Sequence, residues 1–244
     1  MLTKTQLDRG VSKAVQIFWN TRLLQIQKQQ AQGKADQGSR GAVTGGKQMD
    51  GFVDLIRRVI IKSGIPEKCI FIDERLELPG FFRAEKKWDL VVVDDGQLLA
   101  SVEFKSQIGP SFGNNFNNRT EEAIGTAQDL WTAFREGAFK TSQRPWLGYL
   151  FVLEDCEASR SPVKVKQPHF SVFQEFRVAS YADRYNHLLS RLVRERLYDA
   201  TCLLLSSAQD GVKGKCEAID PELNLLQFVS RLHGHLIGYL ANKS

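Results

Sequence analysis

The sequence predicts an α/β domain in which a mixed central β-sheet is flanked by helices. Apolar residues recur at helical spacing near both ends of the chain, and residues 88–107 alternate as two strands around a tight turn. Residues 146–153 form a continuous apolar run bounded by charges, as expected of a strand covered on both faces. With 244 residues, 42% of them hydrophobic and 25% charged, we expect residues 1–244 to form a single domain.

The first part of the chain predicts two helices and a strand. Apolar spacing indicates a helix over residues 4–29, and residues 30–47 hold five glycines and three basic residues, which predicts a flexible loop. A second helix is predicted from Asp50 to Ser63, ended by Gly64 and Pro66. Residues 69–78 indicate a strand that stops at a Pro-Gly pair.

The elements after the hairpin alternate between helix and strand. A helix over about 121–136 is expected to start at a cap supplied by Asn118 or Thr120. The remaining pattern predicts a strand at 146–153, a basic helix at about 180–198, a strand at 201–206 and a helix at 221–241. Helices alternating with strands in this way favour one sheet sandwiched between helices.

Three ionisable residues of the hairpin form a candidate site. Asp89 begins the first strand, whereas Glu103 and Lys105 lie two apart on the second strand and therefore share a face. For the apolar residues of both strands to lie on one face, facing residues must have equal parity, that is, both odd-numbered or both even-numbered. We therefore expect a three-residue loop, 94–96, that pairs Val93 with Gln97. That register places Asp89 opposite residue 101 and diagonal to Glu103.

An acidic residue and a lysine two apart on a strand can hold a divalent cation beside an ammonium group. This combination suits hydrolysis of a phosphodiester bond. The alternative is that these residues are only the solvated face of an amphipathic hairpin. Val91, Val93 and Leu99 lie on the same predicted face and weigh against a purely wet surface.

The distribution of charge and the use of cysteine limit the partners and the cellular compartment that the sequence predicts. Residues 1–62 carry 11 basic against 4 acidic residues, residues 63–159 carry 10 against 16, and residues 160–196 carry 8 against 3. Basic arms around an acidic centre fit a polyanion partner, although uneven surface decoration would look the same. The four cysteines are scattered and the first residues form no apolar signal core, so we expect a reducing cytoplasm and no membrane span.

An asparagine-rich block follows the candidate site. Its planar amide and guanidinium side chains are those that pair bidentately with base edges in the major groove. They are Asn114, Asn115, Asn117, Asn118 and Arg119. We expect a DNA-reading loop anchored from beneath by Phe112 and Phe116. The alternative is an Asn-Gly turn followed by a helix cap.

Several motifs resemble a known nuclease family. The hairpin resembles the phosphodiesterase motif P-D…(D/E)-x-K, with Trp88 in place of the proline. The segments T-G-G-K-Q-M-D-G-F, W-D-L-V-V-V-D-D-G-Q-L-L, K-S-Q-I-G-P-S-F-G-N-N-F-N-N-R-T-E-E-A-I-G, W-T-A-F-R-E-G-A-F, R-P-W-L-G-Y-L-F-V-L-E-D-C and P-V-K-V-K-Q-P-H-F resemble the XhoI-type restriction endonucleases. Together they span residues from near 11 to about 200.

The resemblance implies a restriction-endonuclease-like core and a homodimeric, Mg²⁺-dependent enzyme that cuts double-stranded DNA within CTCGAG. Asp89 and Glu103 would be metal ligands, joined by the backbone carbonyl of Phe104, and Lys105 would be the catalytic lysine. Asp50 would be either an additional carboxylate of the site or an ordinary acid at a helix N-terminus. A structure-selective or repair nuclease of the same fold, and a DNA-binding module without chemistry, are the alternative functions.

Overall fold

A five-stranded mixed sheet forms the centre of the protein in the computed structural model, which describes residues 2–31 and 47–243. The loop predicted over 30–47 lies almost entirely outside the described residues. The helices are α1 (Lys4–Ala31), α2 (Asp50–Lys62), α3 (Phe112–Arg135), α4 (Glu157–Arg160), α5 (Tyr181–Arg194), α6 (Ala208–Gly211) and α7 (Leu225–Lys243). The strands are β1 (Ile70–Phe71), β2 (Glu77–Pro79), β3 (Glu85–Lys87), β4 (Leu90–Asp94), β5 (Gln97–Gln107), β6 (Trp146–Glu154) and β7 (Ala200–Ser206). In the described part of the chain, no helix is long and apolar enough to cross a membrane.

The strand order in the main sheet is β1-β4-β5-β6-β7. β1, β4 and β5 are antiparallel neighbours, whereas β5, β6 and β7 run parallel. The parallel connections pass through α3 and α5, as parallel strands require long crossovers. The predicted mixed sheet between helices is therefore confirmed.

Each face of the sheet has its own apolar core. Residues of α1, α2 and α7, such as Phe18, Phe52 and Phe228, pack on one face, and residues of α3 and α5, such as Leu130 and Leu189, pack on the other. Because both faces are covered, a charged side chain within the sheet needs a partner. This requirement applies to the candidate site on β5.

The structure corrects three local predictions. The strand expected over 69–78 is two short strands: β1 joins the main sheet, and β2 pairs with β3 in a separate two-stranded sheet. The helix expected from about 121 begins at Phe112, so the asparagine block is helical and is not a loop. Ser111 precedes that helix without a side-chain cap, and neither Asn118 nor Thr120 caps it. Burial of Phe112 against α5 holds these first turns in place.

The hairpin turn also differs from the prediction. Asp94 pairs with Gln97, which leaves a two-residue turn at Asp95 and Gly96, both with positive φ (48° and 73°), as a type I′ turn requires. The register then shifts between Val92 and Val93 through a bulge. The bulge, and not a three-residue loop, restores equal parity along the rest of the hairpin.

The bulge places Leu98 and Leu99 in opposite cores of the sheet. Its extra residue is Leu99, because Val92 pairs with Ala100 and the next residue, Val93, pairs with Leu98. The Leu99 carbonyl accepts a hydrogen bond from Nε2 of His235 in α7 at 3.0 Å. A helix side chain thus stabilises the interruption in the ladder.

Candidate active site

The register of the hairpin brings its three ionisable residues together. Leu90 pairs with Val102, so one further step places Asp89 opposite Glu103 and not opposite residue 101 as predicted. Oδ2 of Asp89 accepts the backbone N–H of Phe104 at 2.8 Å, which fixes the aspartate at the end of the β4–β5 ladder. The side chain is thereby oriented by the strand that carries the other two residues.

Lys105 links the two carboxylates. Its Nζ lies 2.9 Å from Oε1 of Glu103 and 3.6 Å from Oδ2 of Asp89. The lysine side chain is 22% exposed, that of the glutamate 6%, and that of the aspartate 39%. The three groups predicted from the sequence to converge therefore do so, with the aspartate as the most open member.

A fourth ionisable residue, which the sequence analysis missed, belongs to this cluster. Nζ of Lys86 donates to Oε1 of Glu103 at 2.7 Å. This lysine lies on β3 and approaches from the separate two-stranded sheet, so hairpin spacing gave no signal for it. Two ammonium groups thus share one carboxylate oxygen.

Burial and neighbouring charges act in opposite directions on these groups. Burial alone would raise the pKa of Glu103, but the ammonium groups of Lys105 and Lys86 more than offset it and hold that pKa below its ordinary value. Burial, reinforced by the charge of Glu103, raises the pKa of Asp89 despite the opposing effect of Lys105. Glu103 is therefore fixed as a carboxylate, whereas Asp89 lacks an ammonium group at hydrogen-bond distance.

The cluster opens into a cleft of about 830 Å³. The cleft is lined by Asp89, Phe104 and Lys105 from the hairpin and by Asp50 and Asp54 from α2. Burial is the largest cause of a raised pKa at Asp50. The candidate additional carboxylate thus faces the same space as the hairpin site, although the structure assigns it no contact with Asp89.

The lining of the cleft also includes two buried polar residues that the sequence analysis missed. Arg22 of α1 is 8% exposed and makes one hydrogen bond among described residues, to Gln25 at 3.4 Å. Gln48 is 6% exposed, and its Oε1 has no hydrogen-bond partner within the described part of the chain. The signal for Arg22 was its position on the apolar stripe of α1, four residues after Phe18.

The asparagine block is divided by the helix that contains it. Asn115 and Arg119 are four residues apart, share a face of α3 and line the cleft. Asn114, Asn117 and Asn118 are exposed at neighbouring positions of the helix and do not line the cleft. The structure therefore brings only two of the five predicted DNA-reading residues to the site of Asp89 and Lys105.

The donor set fits a hard divalent cation. Asp89 and Glu103 supply carboxylate oxygens, and Oε2 of Glu103 is buried without a hydrogen-bond partner among the described residues. The amide of Phe104 points to the edge of β5 that β4 leaves uncovered, and the carbonyl of the same residue points to the same edge. These two carboxylates are not joined by a third such side chain: within residues 2–31 and 47–243, no three or more histidine, cysteine, aspartate or glutamate side chains form a group that could hold a metal ion.

Comparison with known proteins identifies the family. The family model described as restriction endonuclease XhoI matches residues 28–218. The chain is 53% identical over 212 residues to the type II restriction enzyme BstVI of Geobacillus stearothermophilus, covering 85% of this chain and 94% of that protein. It is 45% identical over 196 residues to the type II restriction enzyme XhoI of Xanthomonas vasicola (79% and 77% covered), and 51% identical over 164 residues to AbrI of Azospirillum brasilense (67% and 73%). No solved structure matches this chain.

The fold agrees with this assignment. A five-stranded mixed sheet flanked by helices, with an acidic residue and a lysine on its central strand, is consistent with a restriction-endonuclease-like core. The matched residues 28–218 include the whole candidate site except the part contributed by α1. The resemblance stated from the sequence motifs is therefore confirmed, and the chain belongs to the XhoI family of type II restriction endonucleases.

Proposed function

We propose that this protein is a Mg²⁺-dependent endonuclease that hydrolyses double-stranded DNA within the palindrome CTCGAG. The observation that carries the proposal is the convergence of Asp89 and Glu103 on the Nζ atom of Lys105, at 3.6 and 2.9 Å. A carboxylate and an amine that line a cleft, with a second, buried carboxylate behind them, form a set suited to phosphodiester hydrolysis. The target sequence rests on the family resemblance alone.

The oxygens of Asp89, Glu103 and the Phe104 carbonyl would hold the ion. A Mg²⁺ ion bound there supplies electrophilic activation of the scissile phosphate and compensates charge on the leaving oxygen. Asp50 is the candidate for a further carboxylate, because it faces the same cleft.

Lys105 is the residue that acts on the attacking water and the phosphorus. Its ammonium group lines the cleft, and contact with Glu103 and Asp89 keeps it protonated: burial would lower its pKa, but the two carboxylates more than compensate and raise it. A protonated lysine orients the attacking water and balances the negative charge that develops on the phosphoryl oxygens. Its hydrogen bond to Glu103 fixes the direction of the ammonium group.

The residues that line the cleft suit DNA, a polyanion whose base edges can form hydrogen bonds with side chains. Arg22, Lys47 and Lys87 bring positive charge to the walls around the carboxylates. Asn115 and Arg119 line the same cleft as Lys105, so they are the members of the asparagine block that we assign to bases nearest the scissile bond. Asn114, Asn117 and Asn118 would contact DNA farther from that bond.

A palindromic target implies a two-fold dimer with one active centre for each strand. We therefore propose a homodimer that acts in the cytoplasm. Its assembly can be measured by sedimentation of the free protein and of the protein bound to a CTCGAG duplex in Ca²⁺, where we expect two chains per duplex.

The test is digestion of a plasmid of known sequence with Mg²⁺, followed by end-sequencing of the fragments. We expect discrete fragments that end within CTCGAG. Glu103→Ala should keep the far-ultraviolet circular dichroism of the wild type and lose cleavage, whereas Glu195→Ala, which removes an exposed carboxylate outside the cleft, should cut normally. An undiminished cutting rate in Glu103→Ala excludes its metal role.

Two other wild-type results would favour the alternative functions. Cleavage of mixed-sequence DNA at no fixed site would indicate a structure-selective or repair nuclease. Binding of the duplex with no cleavage in Mg²⁺ would indicate a DNA-binding module without chemistry.

A further inference from the structure

Glu103 is closed off from the cleft that its neighbours line. Asp89, Phe104 and Lys105 contribute to the cleft surface, but Glu103 does not, and its side chain is only 6% exposed. Its Oε1 accepts from both Lys86 and Lys105, whereas Oε2 has no hydrogen-bond partner within the described part of the chain. A cation shared by Asp89 and Glu103 must therefore reach a carboxylate already engaged by two ammonium groups.

The two lysines differ in what else they contact. Lys105 also approaches Asp89, at 3.6 Å, and it lines the cleft. Lys86 forms an ion pair with Glu103 alone among the described residues, donates to the Lys87 carbonyl at 3.0 Å and lies 4.5 Å from the ring centroid of Trp88. Lys86 is therefore a cation directed at Glu103 from outside the hairpin, while Lys105 serves both carboxylates.

The position of Lys86 favours an exchangeable contact. β3 is three residues long and belongs to the two-stranded sheet, and its residues Glu85 and Lys87 are exposed on either side of Lys86. The long lysine side chain can return to solvent with little change in the strand. When it does so, Lys105 still supplies one ammonium group to Glu103.

From this geometry we propose that Lys86 is an internal counter-ion that competes with the divalent cation for Glu103. It compensates the buried carboxylate when the ion is absent and withdraws when the ion binds, so it is a positioning residue and not a catalytic one. A divalent cation at Glu103 would be a third positive centre beside the two ammonium groups on Oε1, and repulsion in this partly buried site favours withdrawal of the ammonium group that pairs with no other carboxylate. The inference rests on the proposed metal-dependent function.

The experiment measures ion binding without DNA, so it does not depend on cleavage. Tb³⁺ is added to the whole protein, its luminescence is excited through nearby tryptophan such as Trp88, and Mg²⁺ is used to displace it. Removal of the competing ammonium in Lys86→Met should tighten Tb³⁺ binding about tenfold. Lys68→Met is the matched control, because it makes the same charge change at an exposed lysine that does not line the cleft.

Two variants separate this inference from the proposed function. Glu103→Gln should abolish Tb³⁺ binding at the site, and Lys86→Arg, which keeps a cation, should bind Tb³⁺ no tighter than the wild type. If Glu103→Gln loses binding while Lys86→Met binds as weakly as the wild type, the metal site stands and the counter-ion role is wrong. If Glu103→Gln binds as the wild type does, both proposals fail. Equal tightening in Lys86→Met and Lys68→Met would show a general charge effect and overturn the inference.

A measurement on the wild-type chain avoids any question of folding. Acetylation of individual lysines is quantified by mass spectrometry with and without saturating Ca²⁺. We expect Ca²⁺ to increase the labelling of Lys86, whose side chain is 14% exposed in its contact with Glu103, while labelling of the exposed Lys68, outside the cleft, stays constant. Labelling of Lys86 that is unaffected by Ca²⁺ contradicts its displacement.

Discussion

Asp129 of α3 is the residue whose removal tests the architecture around β3 most directly. Its buried carboxylate accepts the backbone N–H groups of Phe81 and Phe82 at 2.7 and 2.8 Å, and it accepts Nε of Arg83 at 2.6 Å. These donors lie in the loop between β2 and β3. One carboxylate thus ties the two-stranded sheet that carries Lys86 to the helix behind it.

The size of the effect follows from which bonds each substitution removes. Asp129→Asn keeps an acceptor oxygen for the two amides but loses the charge-assisted bond to the half-exposed Arg83, at a cost of about 2 kcal/mol. Asp129→Ala loses all three bonds, and we expect a cost of about 4 kcal/mol, less than a full sum because the loop amides can reach water. In a chain of this length, the asparagine variant should melt about 4 to 8 °C lower.

The contribution of Asp129 to folding stability depends on pH in a defined direction. Burial would raise the pKa of Asp129, but Arg83 and the amides of Phe82 and Phe81 more than offset this and lower it. Its stabilising contribution is therefore complete above the ordinary aspartate pKa of 3.8 and is lost as the pH falls through the lower folded-state value. The stability gap between wild type and Asp129→Asn should be constant near neutrality and close only in strong acid.

The assay is urea unfolding at pH 7, with hydrogen exchange of residues 77–87 as the local readout. Glu121→Gln serves as the control, because it removes an exposed carboxylate from the same helix. If both Asp129 variants lie within about 0.5 kcal/mol of the wild type and exchange in 77–87 is unchanged, the anchoring argument is refuted.

Further predictions concern the site. Glu103→Gln should reduce the loss of stability that the protein shows in acid. Because the pKa of Glu103 is lowered, its contribution to folding stability is complete above the ordinary glutamate pKa of 4.5 and is lost as the pH falls through the folded-state pKa. A melting temperature that depends on acid pH as in the wild type contradicts this. Tyr149→Phe should unfold in urea within about 1 kcal/mol of the wild type or above it, since the buried hydroxyl has no hydrogen-bond partner among the described residues. Arg22→Met should reduce the salt slope of duplex binding in Ca²⁺ by about 0.9, equivalent to one phosphate, whereas Lys13→Met on the exposed face of α1 should not.

The sequence predicted the layers of the fold because its signals were long and periodic. The apolar run that became β6 and the helical stripes of α1 and α2 needed no tertiary information. The start of α3 required it. The first turns of α3 are rich in asparagine, a weak helix former. They are stabilised by Phe112 packing on Tyr181 and Phe116 packing on Tyr185, in each case a residue of α5 that lies 69 residues later in the chain.

The convergence of Asp89, Glu103 and Lys105 was predictable because side chains two apart on a strand share a face and apolar parity limits the register. The register itself was wrong by two residues, since a bulge can restore parity as well as a longer loop can. Lys86 and Arg22 reach the site from β3 and α1, and only the folded chain shows which distant polar residues point inward.

The bulge has a consequence for how the protein tolerates change in length. The turn at Asp95 and Gly96 lies at the far end of the hairpin from Asp89, and a side chain exchanged there would alter local backbone preference and the ion pair between Asp95 and Lys243. Deletion of Leu99 would instead leave Val93 opposite Leu98 and Val92 opposite Ala100 in an unbroken ladder, so Asp89 would stay opposite Glu103. Length can therefore change at the bulge without moving the carboxylates, and what is lost is the apolar side chain of Leu99 and the hydrogen bond from His235.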